Sequence, residues 1–300
     1  MPFYSDTLGL PDTAFTLLRD LIHDRTGLFY ENGKRELLAD KLSPLVVERG
    51  FDSFLDYYYF LKYDSDATTE WGHVMDALSV QETYFWREVD QIHALVDVIV
   101  PEHFATQPKE PLRIWSAACA SGEEPLSIAM ALNEAGWLRR APIEIYGSDA
   151  SPSAIAKARR GIYRERSFRN LPPTLRLKYF TKEQEGWRIA PELQARVQWN
   201  TVNLLAEAEV IRFASSKVIF CRNVFIYFSP DSIRRVVKLL SKHMPSPGYL
   251  FVGASESLLR VTTDFELREI GGAFVYVKSD AQANSMVTTA RPKLKVSNLA

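Results

Sequence analysis

Between Trp115 and Pro125 the chain sets a run of small side chains, Ser116-Ala117-Ala118-Cys119-Ala120-Ser121-Gly122, directly before two acids, Glu123 and Glu124. Side chains this small let a ligand approach the backbone, and a helix starting at Glu123 offers unpaired N–H groups there. Nucleotide-like cofactors bind at such a place in doubly wound folds. The run is no dinucleotide fingerprint, because Gly122 is its only glycine. The two carboxylates suit the helix dipole; they also repel a pyrophosphate and tolerate an amino group and a sulfonium. That balance favours S-adenosylmethionine over NAD or ATP. Asp149 ends the next strand, where an acid can hold both ribose hydroxyls of an adenosine; Asp149-Ala150-Ser151-Pro152 also suits a turn and helix cap, but its place one strand over from the small-residue loop favours the ligand role. Arg222 and Asn223 close a further apolar strand, at the carboxyl end that faces the crevice in this fold. Cys221 before them reads as a small buried hydrophobe. Tyr84, Phe85 and Trp86 read mainly as packing, and Ser255 and Glu256 as either a site edge or a turn.

The elements that must position these residues follow from periodicity. Four helices are expected in the first eighty residues: one after the cap candidates Leu10 to Thr13, one over about Lys34 to Arg49 with the stripe Leu38, Leu42, Leu45 and Val46, one capped by Ser53, and one over Trp71 to Leu78. No strand pattern interrupts that block. After the polar break Lys109-Glu110-Pro111, strands and helices alternate. Strands are expected at Leu112–Trp115, Ile143–Tyr146, Lys217–Cys221 and Tyr249–Val252, with helices from Glu123, from Ser151 to Arg160 and from Pro230 to His243. Such alternation predicts a parallel doubly wound sheet. Phe265–Ile270 and Phe274–Val277 can close it as a hairpin. The stretch from Tyr163 to Trp199 is too long for a simple connection, and reads as an inserted subdomain with antiparallel strands, Val197–Thr201 among them. Residues 279–300 are polar and aperiodic and read as a disordered tail.

Bulk composition narrows the function. The 300 residues carry 36 basic and 37 acidic side chains, a net charge of -1, without the basic excess of a nucleic-acid binder. Two cysteines in apolar surroundings give no disulfide framework and fit a reducing compartment. The five histidines show no metal-ligand spacing, so no metal is expected. The start Met1-Pro2-Phe3-Tyr4-Ser5-Asp6 lacks the form of a signal peptide. No apolar run reaches the roughly 20 residues of a membrane span. The expectation is a cytoplasmic protein with no membrane insertion and no nucleic-acid partner.

Four ordered segments carry a resemblance. Trp115 to Pro125 resembles the cofactor loop of the bacterial chemotaxis receptor methyltransferases, the CheR family. Thr83-Tyr84-Phe85-Trp86-Arg87-Glu88 is similar to that family's Thr-x-Phe-Phe-Arg motif, Ile219 to Phe228 to its Phe-Cys-Arg-Asn-Val-x-Ile-Tyr-Phe motif, and Gly253 to Leu258 to its Gly-x-Ser-Glu-Ser/Asn segment. The likeness spans residues 12–278. It implies an α/β, Rossmann-like S-adenosylmethionine-dependent methyltransferase domain with an inserted small antiparallel β-subdomain, preceded by an all-α N-terminal domain. The expected divisions are 1–80 for the helical domain, 81–278 for the methyltransferase domain with the insertion at about 163–200, and 279–300 for the tail. It implies methyl transfer from S-adenosyl-L-methionine to glutamate side chains on the cytoplasmic helical stalk of methyl-accepting chemotaxis receptors, with a receptor tail peptide as a further contact in some members. It implies cofactor contacts from Gln81, Thr83, Arg87, Glu124, Asp149, Asn203, Leu204, Cys221 and Arg222, with Arg87 and Tyr227 nearest the reacting centre. The chain departs from the family pattern at Gln81, where Asn is expected, at Ala120-Ser121 and at Ala150-Ser151. The family's basic helix toward an acidic receptor is nearly neutral here, with Lys34, Arg35, Lys41 and Arg49 against Glu36, Asp40 and Glu48.

The chemistry is self-consistent. A glutamate carboxylate with a pKa of about 4.3 is already ionised at neutral pH, so it attacks a methyl carbon without a general base. A cofactor-binding regulatory module without transfer is the alternative from another class; Arg87 and Tyr227 argue against it.

Overall fold

The structure is a computed structural model and describes residues 8–278. The readings of the first residues and of the tail at 279–300 lie outside the described residues.

Four helices form the first unit: α1 (Asp12–Thr26), α2 (Arg35–Glu48), α3 (Phe54–Tyr63) and α4 (Ala67–Leu78). Ser53 caps α3 by accepting the Asp56 N–H at 3.1 Å, as its position in sequence requires. Helix α4 starts four residues earlier than its apolar periodicity suggests, because Ala67 and the buried Glu70 already belong to the packed face. Leu18, Ile22, Leu38, Leu42, Val46 and Val74 are fully buried in one shared core. Glu70 is buried with them and is fully partnered. It accepts the Tyr57 hydroxyl at 2.7 Å, pairs with Arg49 at 2.5 Å and meets His73 at 3.1 Å.

The second unit begins with α5 (Val89–His93), a π-helical turn over 94–99, and α6 (Val100–Thr106). There follow β1 (Leu112–Ala117), α7 (Glu123–Glu134), α8 (Trp137–Arg140), β2 (Ile143–Asp149) and α9 (Pro152–Arg160). The insertion holds β3 (Ile162–Tyr163), α10 (Pro173–Tyr179), β4 (Phe180–Glu183), β5 (Gly186–Ile189) and α11 (Pro191–Gln194). The chain then runs through β6 (Val197–Thr201), α12 (Glu207–Ala214), β7 (Val218–Cys221), α13 (Pro230–His243), β8 (Gly248–Phe251), β9 (Glu266–Ile270) and β10 (Ala273–Lys278). Seven strands make one sheet in the order β6-β2-β1-β7-β8-β10-β9. The first five are parallel; β10 and β9 close the edge as an antiparallel hairpin. Strand β1 is central and buried on both sides, with Leu112, Ile114 and Trp115 at zero exposure, which is why it reads as a continuous apolar run.

One expectation is corrected by this topology. Val197–Thr201 does not join the insertion: it lies parallel to β2, with Gly147 opposite Trp199. The three-stranded antiparallel sheet contains only β3, β5 and β4. The alternation in β6 is that of an edge strand with one wet face, and this pattern does not distinguish parallel from antiparallel pairing.

Candidate active site

A cleft opens at the carboxyl ends of β1, β2 and β7, where the strand order reverses about β1. Its floor is the loop from Ala118 to Gly122. Ala118 and Ala120 take left-handed backbone conformations, φ +57° and +48°, which side chains avoid and which surrounding structure must enforce. The Cys119 N–H is held by the Ser148 carbonyl at 2.8 Å, and the Ala120 N–H by Asp149 at 2.9 Å. The other oxygen of Asp149 accepts from the Ser151 N–H at 2.9 Å. Each oxygen keeps a lone pair for a further donor. Burial pushes the Asp149 carboxyl above its usual range, and these N–H groups oppose it.

The small residues of the loop serve two different ends. Ala118 and Ala120 line the cleft. Gly122 packs instead under the Trp199 ring, which a Cβ there would meet at 2.7 Å; a Cβ on Gly147 would meet it at 2.8 Å. The two glutamates divide in the same way, since successive helix positions point about 100° apart. Glu124 lines the cleft and accepts from Ser116 Oγ at 2.6 Å. Glu123 turns away into the insertion, where it accepts from Ser121 at 2.8 Å and Ser167 at 2.9 Å. Of the two acids expected to favour the cofactor, only Glu124 therefore faces the cleft.

Arg222 crosses the cleft behind Glu124. Its side chain is 1% exposed, lies 3.2 Å from Glu124 and 3.3 Å from Glu88, and donates to the Arg87 carbonyl at 2.9 Å. Both charge contacts leave gaps: Arg222 Nε and Nη1 and Glu88 Oε2 are buried without a hydrogen-bond partner. Burial pushes the Glu124 carboxyl up, against the pull of Arg222. A buried set with unspent donors and a strained charge is unfavourable unless a ligand completes it.

The remaining walls come from 81–88 and 222–228. Phe85 anchors the first wall in the insertion: it is fully buried against Tyr163, Phe168 and Phe180, and its N–H bonds the Ser167 carbonyl at 2.9 Å. That leaves Tyr84 and Arg87 on the cleft side, with the Arg87 guanidinium 5.4 Å from the Tyr84 ring centre. The second wall is tied by Glu256. Its carboxylate accepts backbone N–H groups from Asn223 and Phe225 at 2.7 Å, Ile226 at 3.3 Å and Gly253 at 2.7 Å. Asn223 is left-handed at φ +57°, and its side chain leaves no room for a Cβ at Gly253.

The helical unit supplies a third side. Leu28 forms an antiparallel bridge with Phe228, the Phe29 N–H donates to the Tyr227 carbonyl at 2.9 Å, and Asn203 Nδ2 donates to the Arg25 carbonyl at 2.7 Å. His23 Nε2 lies 2.7 Å from Ser229, the residue that caps α13. Thr26 and Leu28 line the cleft.

Two family models match this arrangement. The CheR methyltransferase SAM-binding domain matches residues 81–273, and the CheR methyltransferase all-alpha domain matches 13–79. The chain belongs to the CheR methyltransferase family. Its relatives include chemotaxis protein methyltransferase 2 of Vibrio cholerae, 35% identical over 283 residues, covering 92% of this chain and 98% of that protein. The chemotaxis protein methyltransferase of Klebsiella aerogenes is 34% identical, covering 87% and 89%. That of Escherichia coli K12 is 31% identical, covering 92% and 94%. The cofactor of this CheR protein is S-adenosylmethionine, and the cleft fits it: unspent arginine donors suit a carboxylate, the Glu124 carboxylate an amino group, and the free lone pairs of Asp149 a ribose diol.

Of the residues expected at the site, Gln81, Thr83, Arg87, Glu124, Asp149, Asn203, Leu204, Arg222 and Tyr227 all line this one cleft. Cys221 does not. It is fully buried in the core beneath the cleft, and burial holds its thiol up. Cys119 lines the cleft, but burial and then the nearby carboxylates of Asp149 and Glu124 keep its thiol protonated as well. Gln81 is engaged on its outer side, donating to Ser151 at 3.0 Å and accepting from Lys157 at 2.8 Å. Sequence reasoning missed Glu88 as a partner of Arg222 and left Glu256 undecided. For Glu256 the available signal was its place in a matched segment; Glu88, next to Arg87, carried none. Among the described residues no cluster of His, Cys, Asp and Glu is placed for a metal, and no helix is long and apolar enough to cross a membrane.

Proposed function

We propose that this protein methylates glutamate side chains on the cytoplasmic stalk of methyl-accepting chemotaxis receptors, forming methyl esters, and that it acts in the cytoplasm. The observation that carries this reading is the composition of the cleft wall. Arg87 and Tyr227 line it, no histidine does, and its two thiols or near-wall thiols are held neutral. A wall with a cation and a hydroxyl but no histidine suits an acceptor that arrives already ionised, as a glutamate does. The names of the relatives point to the same pathway.

When bound, S-adenosylmethionine supplies an electrophilic methyl group on a sulfonium sulfur. In this reading Glu124 and Arg222 hold its amino and carboxylate ends, Asp149 its ribose, and Thr83, Asn203 and Leu204 the adenosine. Arg87 orients the incoming carboxylate, and Tyr227 donates to the oxygen that does not attack. Transfer of that group to an already ionised carboxylate would leave the carbon–sulfur electron pair on sulfur and need no proton to move, so no residue of the wall would have to act as a base. Two opposite charges disappear together, so exclusion of water and alignment supply most of the rate.

The test uses labelled cofactor and receptor-containing membranes. Label on the receptor that is released as methanol in mild base is the expected result. Base-stable label excludes an ester, and an unlabelled receptor favours a binding module without transfer.

A further inference from the structure

The near-neutral total charge conceals a strong local imbalance. Residues 157–188 hold ten basic and three acidic side chains, a net charge of +7, while the rest of the chain is net -8. Five of the ten cations pair with carboxylates: Arg160, Arg169, Arg176, Lys178 and Arg188. Lys157, Arg159, Arg164, Arg166 and Lys182 have no carboxylate within ion-pair distance among the described residues.

This charge borders the cleft. Lys157 reaches Gln81 at 2.8 Å, and Arg169 stacks 3.8 Å from the ring centre of Tyr84 while pairing with Glu82 at 2.5 Å; all three contacted residues line the cleft. Arg164 and Arg166 are exposed on the 3-10 turn whose Ser167 carbonyl takes the Phe85 N–H. Arg35, Lys41 and Arg49, in and beside helix α2, are by contrast engaged internally. Arg35 pairs with Asp12 at 2.6 Å, Arg49 with Glu70 at 2.5 Å, and Lys41 donates to the carbonyls of Ala77 and Leu78 at 3.3 and 3.0 Å.

We propose that the rim carrying Lys157, Arg164, Arg166 and Arg169 is the electrostatic docking surface for an acidic helical segment of the receptor, the segment that presents the target glutamate to Arg87. This rests on the glutamate-methyltransferase reading above. The occupant follows from charge complementarity: a methylated segment carries several carboxylates, and a positive rim beside the opening raises its local concentration and aligns it.

The test compares R164E/R166E with wild type in receptor methylation over a range of salt. Both side chains are exposed and lie outside the cofactor pocket. The expected result is a KM for receptor raised about tenfold at low salt with a flattened salt dependence, and an unchanged Kd for S-adenosylhomocysteine, which reports intact folding. K34E, just before α2, is expected to leave the KM unchanged. An unchanged KM in R164E/R166E while wild type methylates receptors overturns the docking surface alone. Wild type that labels no receptor overturns the functional reading instead. A double variant that loses binding to duplex DNA but keeps its receptor KM assigns the rim to nucleic acid and also overturns the proposal.

Discussion

Among the described residues, Glu70 and Glu124 are carboxylates held in the interior by arginines, and the two clusters are finished to different degrees. In the helical unit Glu70 is met by Arg49, Tyr57 and His73, and its carboxyl falls below the usual range, because these hydrogen bonds outweigh the upward push of burial. In the cleft Arg222 stands in charge contact with Glu124 and Glu88, but two of its nitrogens and one Glu88 oxygen have no hydrogen-bond partner, and burial raises the Glu124 carboxyl. The first cluster is complete. The second has donors left over that suit a ligand. Satisfaction of buried polar atoms, rather than burial or charge, is what separates the two.

That comparison can be broken by substitution. The largest effect belongs to the unfinished cluster: R222A should cost about 3 kcal/mol or more in cofactor binding, a loss of at least a hundredfold in Kd by calorimetry, because it leaves Glu124 buried and uncompensated. A melting temperature that falls as far as in a core variant, with Kd unchanged, would reverse the assignment. The finished cluster should behave oppositely. E70A should destabilise the helical unit by about 2–3 kcal/mol, since Arg49 is half-exposed and recovers hydration, while cofactor Kd at low temperature is retained. Denaturant midpoints and Kd measured on the same samples check this.

Glu256 sharpens the contrast further, because it is satisfied and yet ties the backbone of a cleft wall. E256Q keeps the size of the side chain but cannot accept four N–H groups as a carboxylate does. Transfer should fall about tenfold to a hundredfold in kcat, with the cofactor Kd little changed. Restored kcat in E256D, with its shorter reach, would argue against a geometric role. The smallest effect is on pH. The folded carboxyls of Glu124 and Asp149 are raised, so their contribution to stability is present below the unfolded pKa and is lost as pH rises through the folded values. The bound form needs both ionised. The rise in melting temperature given by S-adenosylhomocysteine should therefore shrink as pH falls toward the raised values, above the usual carboxylate range. A constant rise down to pH 4 would contradict the ligand roles of both acids.

Much of this was legible in sequence for a physical reason: the helix periods, the Ser53 and Ser151 caps and the buried β1 are local patterns. Contacts between distant residues were not. Trp199 filling the space above Gly122 and Gly147 made a loop glycine look like a ligand feature when it is a packing feature. The strand 197–201 carried no mark of its partner, and neither Glu88 nor the fourfold grip of Glu256 leaves a spacing to read.

The bridge from Leu28 to Phe228, with the bonds from Phe29 to Tyr227 and from Asn203 to Arg25, bears on how the chain can be divided. The two family matches meet between residues 79 and 81, which looks like a natural cutting point. Cutting there would strip the Tyr227 carbonyl of its donor, release the Asn203 amide and bare the Phe228 ring that now packs on Gly27. The helical unit is thus a supporting wall of the cleft, so a shortened chain that keeps residues 81–278 would still lose the shape of the cleft they line.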